Sequence, residues 1–550
     1  MRNTLYYGDN LDVLRQHIPT ESVDLIYLDP PFNSNRSYNV LFKAHGGEES
    51  QAQIEAFGDS WHWSQQTEDQ YAALVAGGAP IKVAEAIEAM HGLLGPNDVL
   101  AYLVMMTARL VELHRVLKPS GSLYLHCDPT ASHYLKVMLD AIFGPERFLN
   151  EVIWKRSSAH SSAKRFGPVH DTILLYSKSR TYTWNPAFQP IPQETVDAWY
   201  NNVEEGSERR FNRADMTAAG TRTGISGSDW RGVSPTAKGR HWAIPGFVGD
   251  IVAGLDTIQA LEALDKAGRL FWPKKKGGVP MLKRYLDESP GIPALDIITD
   301  IPPLNNVTAE RLGYPTQKPI ALLDRLISAS SNEGDVVLDP FCGCGTTIDA
   351  AQKLGRQWIG IDITYLSVDL IQKRLRHTYG DEIEGTYGVH GIPTDVQGAE
   401  ALFHENPFDF ERWAVSRVDG QPNEKQVGDK GIDGRIRFHA DKDKIGTVVV
   451  SVKGGSHVAP TMMQALGGAI EQHKAEMGLL VMLAKPTKGM IEVADLSGSY
   501  QVPLTGVTYP KLQIVTIAEL LAGNHPNIPT AILPYIKASP KAGSEAVSMF

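Results

Sequence analysis

Apolar and polar positions follow two rhythms along this chain. From Leu5 it reads LYYGDNLDVLRQHIPTESVDLIYLDPPF: a short apolar run, a turn at Gly8 and Asp9, a segment of helical spacing, then the run VDLIYL stopped by Pro30 and Pro31. That is a strand, helix, strand unit. Helical spacing returns from Asp98 to Leu117 and ends at KPSG, after which SLYLHCD and VHDTILLYSK read as further buried strands. Strands apolar on both faces and separated by helices predict a sheet covered on two sides.

From Tyr182 to Asn306 the rhythm fades. Gly, Pro, Trp and basic residues accumulate in GISGSDWRGVSPTAKGRHWAIPG and FWPKKKGGVP, the texture of a loop-rich recognition insertion rather than a core. Regular α/β patterning resumes with YPTQKPIALLDRLISASSNEGDVVLDPFCGCGTTIDAAQKLGRQWIGIDITYLSVDLIQKRL: helix, strand, glycine turn, helix, strand ending at Asp362, helix. The α/β core is therefore split around an insertion. YGDEIEGTYGVHGIPTDVQGAE reads as a linker. Beyond Phe403 come a helix at FDFERWAV, the hairpin KGIDGRIRFHADKDKIGTVVVSVKGG, a helix at MMQALGGAIEQHKAEM and the strands GLLVML and LQIVTI. There are no internal repeats or low-complexity tracts.

Composition narrows the picture. A length of 550 residues with 42% hydrophobic content calls for two or three buried cores. No basic stretch leads into an apolar run at MRNTLYYGDNLDVL, and no window is apolar enough to span a bilayer, so a cytoplasmic protein without membrane partners is expected. The 3 cysteines cannot build a disulfide framework, and Cys342 and Cys344 with one distant partner fall short of the four ligands of a structural zinc site, so no metal is expected there. A net charge of -10 does not announce a nucleic-acid binder; DNA contact must come from local clusters. Two segments mix cations with aromatics, WKRSSAHSSAKRFGPVH and GRLFWPKKKGGVPMLKRY. With the insertion they nominate Lys155, Arg156, Trp230, Arg231, Arg240, Lys274, Lys275 and Lys276 for DNA binding.

The phrases YYGDNLDVL, LIYLDPPF, LKPSGSLYLHCDP, NEVIWKR, YPTQKP, VVLDPFCGCGTT and WIGIDI, in this order, resemble the amino-DNA methyltransferases of the permuted (beta) class, whose catalytic half precedes the cofactor half. The resemblance runs from Leu5 to Leu375, the insertion excepted. It implies a doubly wound Rossmann-like sheet, with a catalytic half at 1–181, a target-recognition insertion at 182–306, a cofactor half at 307–378, a linker at 379–402 and a further unit at 403–550. It also implies S-adenosyl-L-methionine as cofactor and double-stranded DNA as partner.

The residues give these phrases a physical sense. Gly343 and Gly345 let the backbone turn tightly at the end of a strand, and the helix that opens at Thr346 offers free N–H groups to a ligand's polar end. Asp339, which ends the strand before that loop, and Thr346 are expected with the two glycines among the cofactor-binding residues. Asp362, one strand later, stands where an acid accepts ribose hydroxyls. By resemblance, Asp9 meets the adenine ring of the cofactor, while Phe341 and the stretch from Thr316 to Lys318 line its pocket; as a plain residue before a helix, Asp9 equally reads as a cap. DPPF is the reacting end. The lone pair of an exocyclic amino group is delocalised into its ring, so the nitrogen attacks only if something localises it. Asp29 accepts one N–H and the Pro30 carbonyl the other, Pro30 and Pro31 fix where the carbonyls point, and Phe32 stacks on the base flipped from the duplex. Ring-carbon methylation needs a cysteine nucleophile after proline, which Cys127 does not match. Asp first and Phe last resemble adenine enzymes, giving N6 of adenine as target, with N4 of cytosine as the alternative.

The hairpin GDKGIDGRIRF to TVVVSVKGG resembles the core of Mrr-like restriction-endonuclease domains. The resemblance implies that Asp433 and Lys453 meet across the hairpin, with Glu411 as a further ligand; Ser451 stands where the family has Glu or Gln, which removes a metal ligand or orienting group. A non-cleaving DNA-binding domain is the expectation, and an active nuclease in a bifunctional restriction-modification enzyme is its rival. A homodimer and a separate restriction partner are compatible with either.

Overall fold

The computed structural model describes residues 2–31, 63–157, 166–275, 277–305, 308, 310, 317–423, 432–441 and 444–532, with backbone alone at 42–43, 49–50 and 366. The chain forms two compact units, Met1–Asn185 with Asp296–Phe550, and Pro186–Leu295.

The first unit is built on a nine-stranded sheet. Its strands in chain order are β1 (Asn3–Tyr7), β2 (Val23–Leu28), β3 (Leu117–Cys127), β4 (Phe148–Lys155), β5 (His170–Ser177), β6 (Ile297–Ile298), β7 (Val336–Asp339), β8 (Gln357–Asp362) and β9 (Tyr387–His390). They lie in the order β6-β4-β5-β3-β2-β7-β8-β1-β9. Pairings from β3 through β9 are parallel, whereas β5 runs antiparallel to both β3 and β4. Two-sided burial follows from the strand period of two. Ile26 and Leu28 pack with Leu103, Met106 and Leu110 of the helix Asp98–Val116, while Leu25 and Tyr27 face Leu322, Leu326 and Ile371 on the other side. Each such side chain taken fully from water is worth about 1.5–3 kcal/mol. The continuous apolar run VDLIYL is the sequence trace of this double covering.

Two expectations change. The segment read as a linker contributes β9, which pairs in parallel with the edge of β1, so 379–402 completes the sheet instead of merely spanning a gap. The stretch read as lacking a core has one of its own: Met216, Trp230, Trp242, Leu261, Leu264 and Leu282 cluster in the unit Pro186–Leu295. That core escaped pattern reading because its strands are two to five residues long, too short to show a period. Its helix Thr257–Lys266 is set by a capping box between Asp256 and Gln259.

Toward the C-terminus a five-stranded sheet carries the expected hairpin, Gly434–Asp441 against Lys444–Lys453, followed by the parallel strands Met477–Met482 and Leu512–Thr516. Helix Pro407–Ser416 covers one face through Phe410 and Trp413, and helix Pro460–Gln472 covers the other. This sheet belongs to the same compact unit as the larger one. Tyr365 shares the apolar cluster of Trp413, Tyr7 packs edge-on to Tyr365 at 6.4 Å, and Lys373 pairs with Asp419 at 2.8 Å.

Candidate active site

Because β1, β2, β7 and β8 are parallel, their carboxyl ends share one edge, and the loops of the ordered phrases open there. Gly8, at φ 150, donates its N–H to the Asp362 carbonyl at 3.0 Å, tying the first turn to the end of β8. In the glycine loop the Cys342 N–H reaches the Ile361 carbonyl at 3.1 Å and the Gly345 N–H reaches the Cys342 carbonyl at 2.7 Å. Gly345 sits at φ 75 immediately before helix Thr346–Lys353, and a Cβ there would lie 2.6 Å from Ile371 Cγ1, so only glycine fits. Cys342 and Cys344 are free and buried, their thiols pushed up by burial.

Four carboxylates border this edge. Asp362 Oδ2 accepts the Gly343 N–H at 2.9 Å, and its Oδ1 accepts the Thr364 N–H and hydroxyl at 2.9 and 2.8 Å, so it braces the glycine loop; burial raises its pKa. Asp339 accepts the Phe341 N–H at 3.0 Å. Burial, reinforced by the charges of Asp29 and Asp362, pushes the Asp339 carboxyl up to about 7. Asp9 caps its helix by accepting the Leu11 N–H at 2.7 Å and also holds Arg109 at 2.8 Å. The cap reading of Asp9 is realised, and its side chain remains 36% exposed. Asp29, just past β2, receives the ammonium of Lys318. Lys318 thus bonds the DPPF end of the edge and is also within electrostatic reach of Cys344 in the glycine loop. Pro30 is buried and Pro31 half-buried; Phe32 and Thr316 lie outside the described residues.

Sequence reading missed Asn10 and Arg109. Asn10 donates to the Pro340 carbonyl at 2.7 Å and accepts from Arg109, which also grips Asp9, so one pair joins the YYGD turn to the DPF loop. The signal was present: Arg109 is a lone cation in the otherwise apolar stretch of the helix Asp98–Val116, and it is buried. The helix opens at Thr346 as expected, and the Thr346 hydroxyl faces buried Arg374 and Cys344, inside the fold. Phe341 is half-buried against the core.

The nominated DNA-facing residues divide. Lys155, Lys274 and Lys275 are exposed, and Lys276 lies outside the described residues. Arg156 pairs with Asp171 at 3.0 Å. Trp230 is a correction: it is 4% exposed, donates to Glu262 at 2.7 Å and packs edge-on to Trp242 within its unit's core, so it cannot lie on a groove. Arg231 is paired with Glu262 and Asp265, and Arg240 with Asp215 at 2.6 Å, while both side chains remain partly exposed. Arg213 and Arg284, exposed on adjacent strands and lying over the rings of Phe271 and Phe247, were not singled out.

In the C-terminal sheet, Asp433 Oδ2 accepts the Val452 N–H at 2.6 Å and the Ser451 hydroxyl at 3.2 Å, with Lys453 Nζ at 3.8 Å. The hairpin does bring these three together. Glu411 is half-buried on the helix Pro407–Ser416. Among the described residues no three His, Cys, Asp or Glu side chains gather to hold a metal ion, and no helix is long and apolar enough to cross a membrane.

Comparison with known proteins agrees with this arrangement. Residues 23–373 match the family described as DNA methylase (N6_N4_Mtase), and residues 408–522 match NACHT-associated inactive Restriction Endonuclease 1. The Type II methyltransferase M.EcaI of Enterobacter cloacae is 34% identical over 275 residues, which is 50% of this chain and 57% of that protein. DNA adenine methyltransferase YhdJ of Escherichia coli (strain K12) is 24% identical over 374 residues, covering 68% and 82%. Among solved structures, TTHA0409 of Thermus thermophilus, complexed with S-adenosyl-L-methionine, is 16% identical over 71% of this chain and 99% of that one, with a TM-score of 0.32. The chain thus spans little more than half the length of M.EcaI, 57%.

Proposed function

Because this chain belongs to the N6_N4 DNA methylase family, we propose that it transfers a methyl group from S-adenosyl-L-methionine to N6 of an adenine in double-stranded DNA. The observation that carries this reading is the shared edge. Asp29 and Pro30 end β2 beside the glycine loop that ends β7 and Asp362 that ends β8.

The donor set fits the cofactor. Among the described residues, Asp9, Asp29, Asp339 and Asp362 face only Lys318 and Arg109 as bonded cations, and the raised pKa of Asp339, due first to burial, also reflects that anionic surplus. A ligand carrying a sulfonium and an ammonium relieves it. Bound there, the cofactor supplies an electrophilic methyl group. Gly343, Gly345 and Phe341 would shape its pocket, and Asp9 and Asp362 would offer carboxylate oxygens to its polar groups. Asp29 and the Pro30 carbonyl accept the two N–H bonds of the base, turning the nitrogen lone pair toward the methyl carbon. Once methylated, the nitrogen would shed one proton, for which Asp29 is the adjacent acceptor. Asp first in the motif, and the Escherichia coli relative's name as an adenine methyltransferase, support adenine over cytosine.

The unit Pro186–Leu295 is read as the target-recognition part, with Arg213, Arg284, Lys274 and Lys275 as its exposed cations. The C-terminal sheet is read as a DNA-gripping, non-cleaving domain: Oδ2 of Asp433 is taken by a backbone N–H and by Ser451, and among the described residues no further carboxylates gather with it to hold a metal ion. A separate restriction endonuclease that spares methylated sites is the partner this reading calls for, and a second copy of the chain is compatible with it. The test is Asp29→Ala, with tritiated methyl incorporation and cofactor affinity measured in parallel and the product nucleoside identified by mass spectrometry. Incorporation should fall at least about 100-fold with cofactor affinity kept. Near-normal turnover, or N4-methylcytosine as product, would sink the assignment.

A further inference from the structure

Directly beneath the DPPF edge lies a buried polar chain that methyl transfer as described does not use. Tyr27, two residues before Asp29 on β2, meets His126 Nδ1 through its hydroxyl at 2.8 Å. His126 Nε2 lies 3.2 Å from Asp171 Oδ2, and Arg156 Nε lies 3.0 Å from Asp171 Oδ1. His126 is fully buried and the Asp171 side chain is 3% exposed. Two buried ionisable groups are costly to keep unless they do something. Two details point to a task. Asp171 Oδ1 is buried yet has no properly aligned hydrogen-bond donor among the described residues, the Arg156 contact being close but poorly directed. Asp171 is also within electrostatic reach of Lys318, the residue bonded to Asp29; burial pushes its carboxyl up, but hydrogen bonding from His126 and the charges of these cations outweigh that effect and hold it below the usual range.

Lys318 poses a problem for the reaction. While its ammonium sits on Asp29 it withdraws negative charge from the carboxylate that must stabilise the nitrogen as that nitrogen becomes positive. We propose that Asp171 is a positioning residue: its Oδ1, which Arg156 approaches without an aligned hydrogen bond, is a second seat for Lys318, which moves from Asp29 to Asp171 as the target base enters, so that Asp29 meets the base with its full charge. His126 and Arg156 hold Asp171 in place, and Tyr27 fixes the tautomer and plane of His126. No bond is made or broken in this exchange. The free energy given up at one carboxylate is regained at the other, which keeps the cation from blocking the site.

The inference rests on the reading of Asp29 given above, and the experiment separates the two. In the full-length protein, Asp171→Asn keeps the shape and removes the charge. Single-turnover methylation with S-adenosylmethionine and a DNA substrate should slow by about tenfold or more, while cofactor affinity and DNA affinity stay near wild type; the melting temperature falls with the lost pairs to His126 and Arg156, and the Lys318→Met background separates that structural loss from the effect on rate. Asp171→Glu should restore part of the rate. In a Lys318→Met background, where no cation needs a second seat, Asp171→Asn should have no further effect on the rate. An Asp171→Asn enzyme with wild-type rate, or one that slows equally in the Lys318→Met background, overturns the proposal. Should Asp171→Asn not fold, Asp171→Glu carries the same cycle, because it moves the charge by one methylene and should lose rate only while Lys318 is present. Asp29→Ala in the same assay reports on the underlying reading: retained methylation there would refute that reading, whatever Asp171 does.

Discussion

Gly345→Ala tests how the glycine loop is built. The residue holds φ 75, a left-handed conformation that costs an L side chain roughly 1–2 kcal/mol. The added Cβ would also come within 2.6 Å of Ile371 Cγ1 and 3.3 Å of its Cδ1, atoms of a side chain packed in the core beside Leu322 and Val368. Ile371 is β-branched and helical, so it has little rotamer freedom with which to yield. Forced overpacking of this kind costs about 1–3 kcal/mol. The two terms together give a loss of about 2–5 kcal/mol. Ile371→Ala alone should cost about 2–5 kcal/mol through its cavity, but the double variant should recover the steric part while the left-handed strain remains. The expected result is a coupling of about 1–3 kcal/mol, read from guanidinium denaturation of the four proteins at one pH. Costs that add within about 0.5 kcal/mol would refute steric conflict with Ile371 as the reason for glycine. Cofactor affinity of Gly345→Ala should fall in step, since the same turn presents the start of the helix that follows.

Asp339 makes stability depend on pH. Its folded pKa of about 7 lies above the ordinary 3.8, so the folded state keeps a proton that the unfolded state gives up between those values. The contribution of Asp339 to stability is therefore greatest below about 4, falls by up to about 4 kcal/mol as pH rises to about 7, and is level above it; Asp339→Asn should flatten the slope between about pH 4 and 7, and an unchanged slope would exclude Asp339 as its source. Replacing Lys274 and Lys275 with Gln should weaken DNA binding and reduce the salt slope by about one for each phosphate that is no longer neutralised, whereas an identical slope would make them mere solvated surface. Plasmid incubated with the full-length protein and magnesium or manganese should stay intact whether or not its adenines are methylated; cutting that disappears in Asp433→Ala would establish an active nuclease.

The alternation of apolar runs and helical spacing was sufficient to give the α/β class, the split core and the hairpin. Buried parallel strands need residues apolar on both faces, and VDLIYL, SLYLHC and VVLD advertise that locally. The ordered phrases with DPPF and DPFCGCGTT gave the family for a similar reason: turns at strand ends depend on Gly, Pro and Asp at fixed places, and those are written in consecutive residues. The short-stranded core of Pro186–Leu295 left no such trace, nor did the edge strand Tyr387–His390 hidden in an apparent linker, because two to five residues carry no period and their partners lie far away in sequence.

Partner choice among charged residues was decided only by the tertiary structure. Sequence placed Lys318 with the cofactor and Arg231 and Arg240 on DNA; the fold adds partners it could not name, bonding Lys318 to Asp29, 289 positions away, and pairing both arginines with acids of their own unit. It likewise turned Trp230 inward and linked Asp9, Asn10 and Arg109 across 100 positions. Local sequence determines where the chain turns, since backbone conformation depends on neighbouring residues. Which charge neutralises which depends on distances that exist only once remote strands share an edge, because a buried ion is tolerated only where folding has brought its counterion alongside.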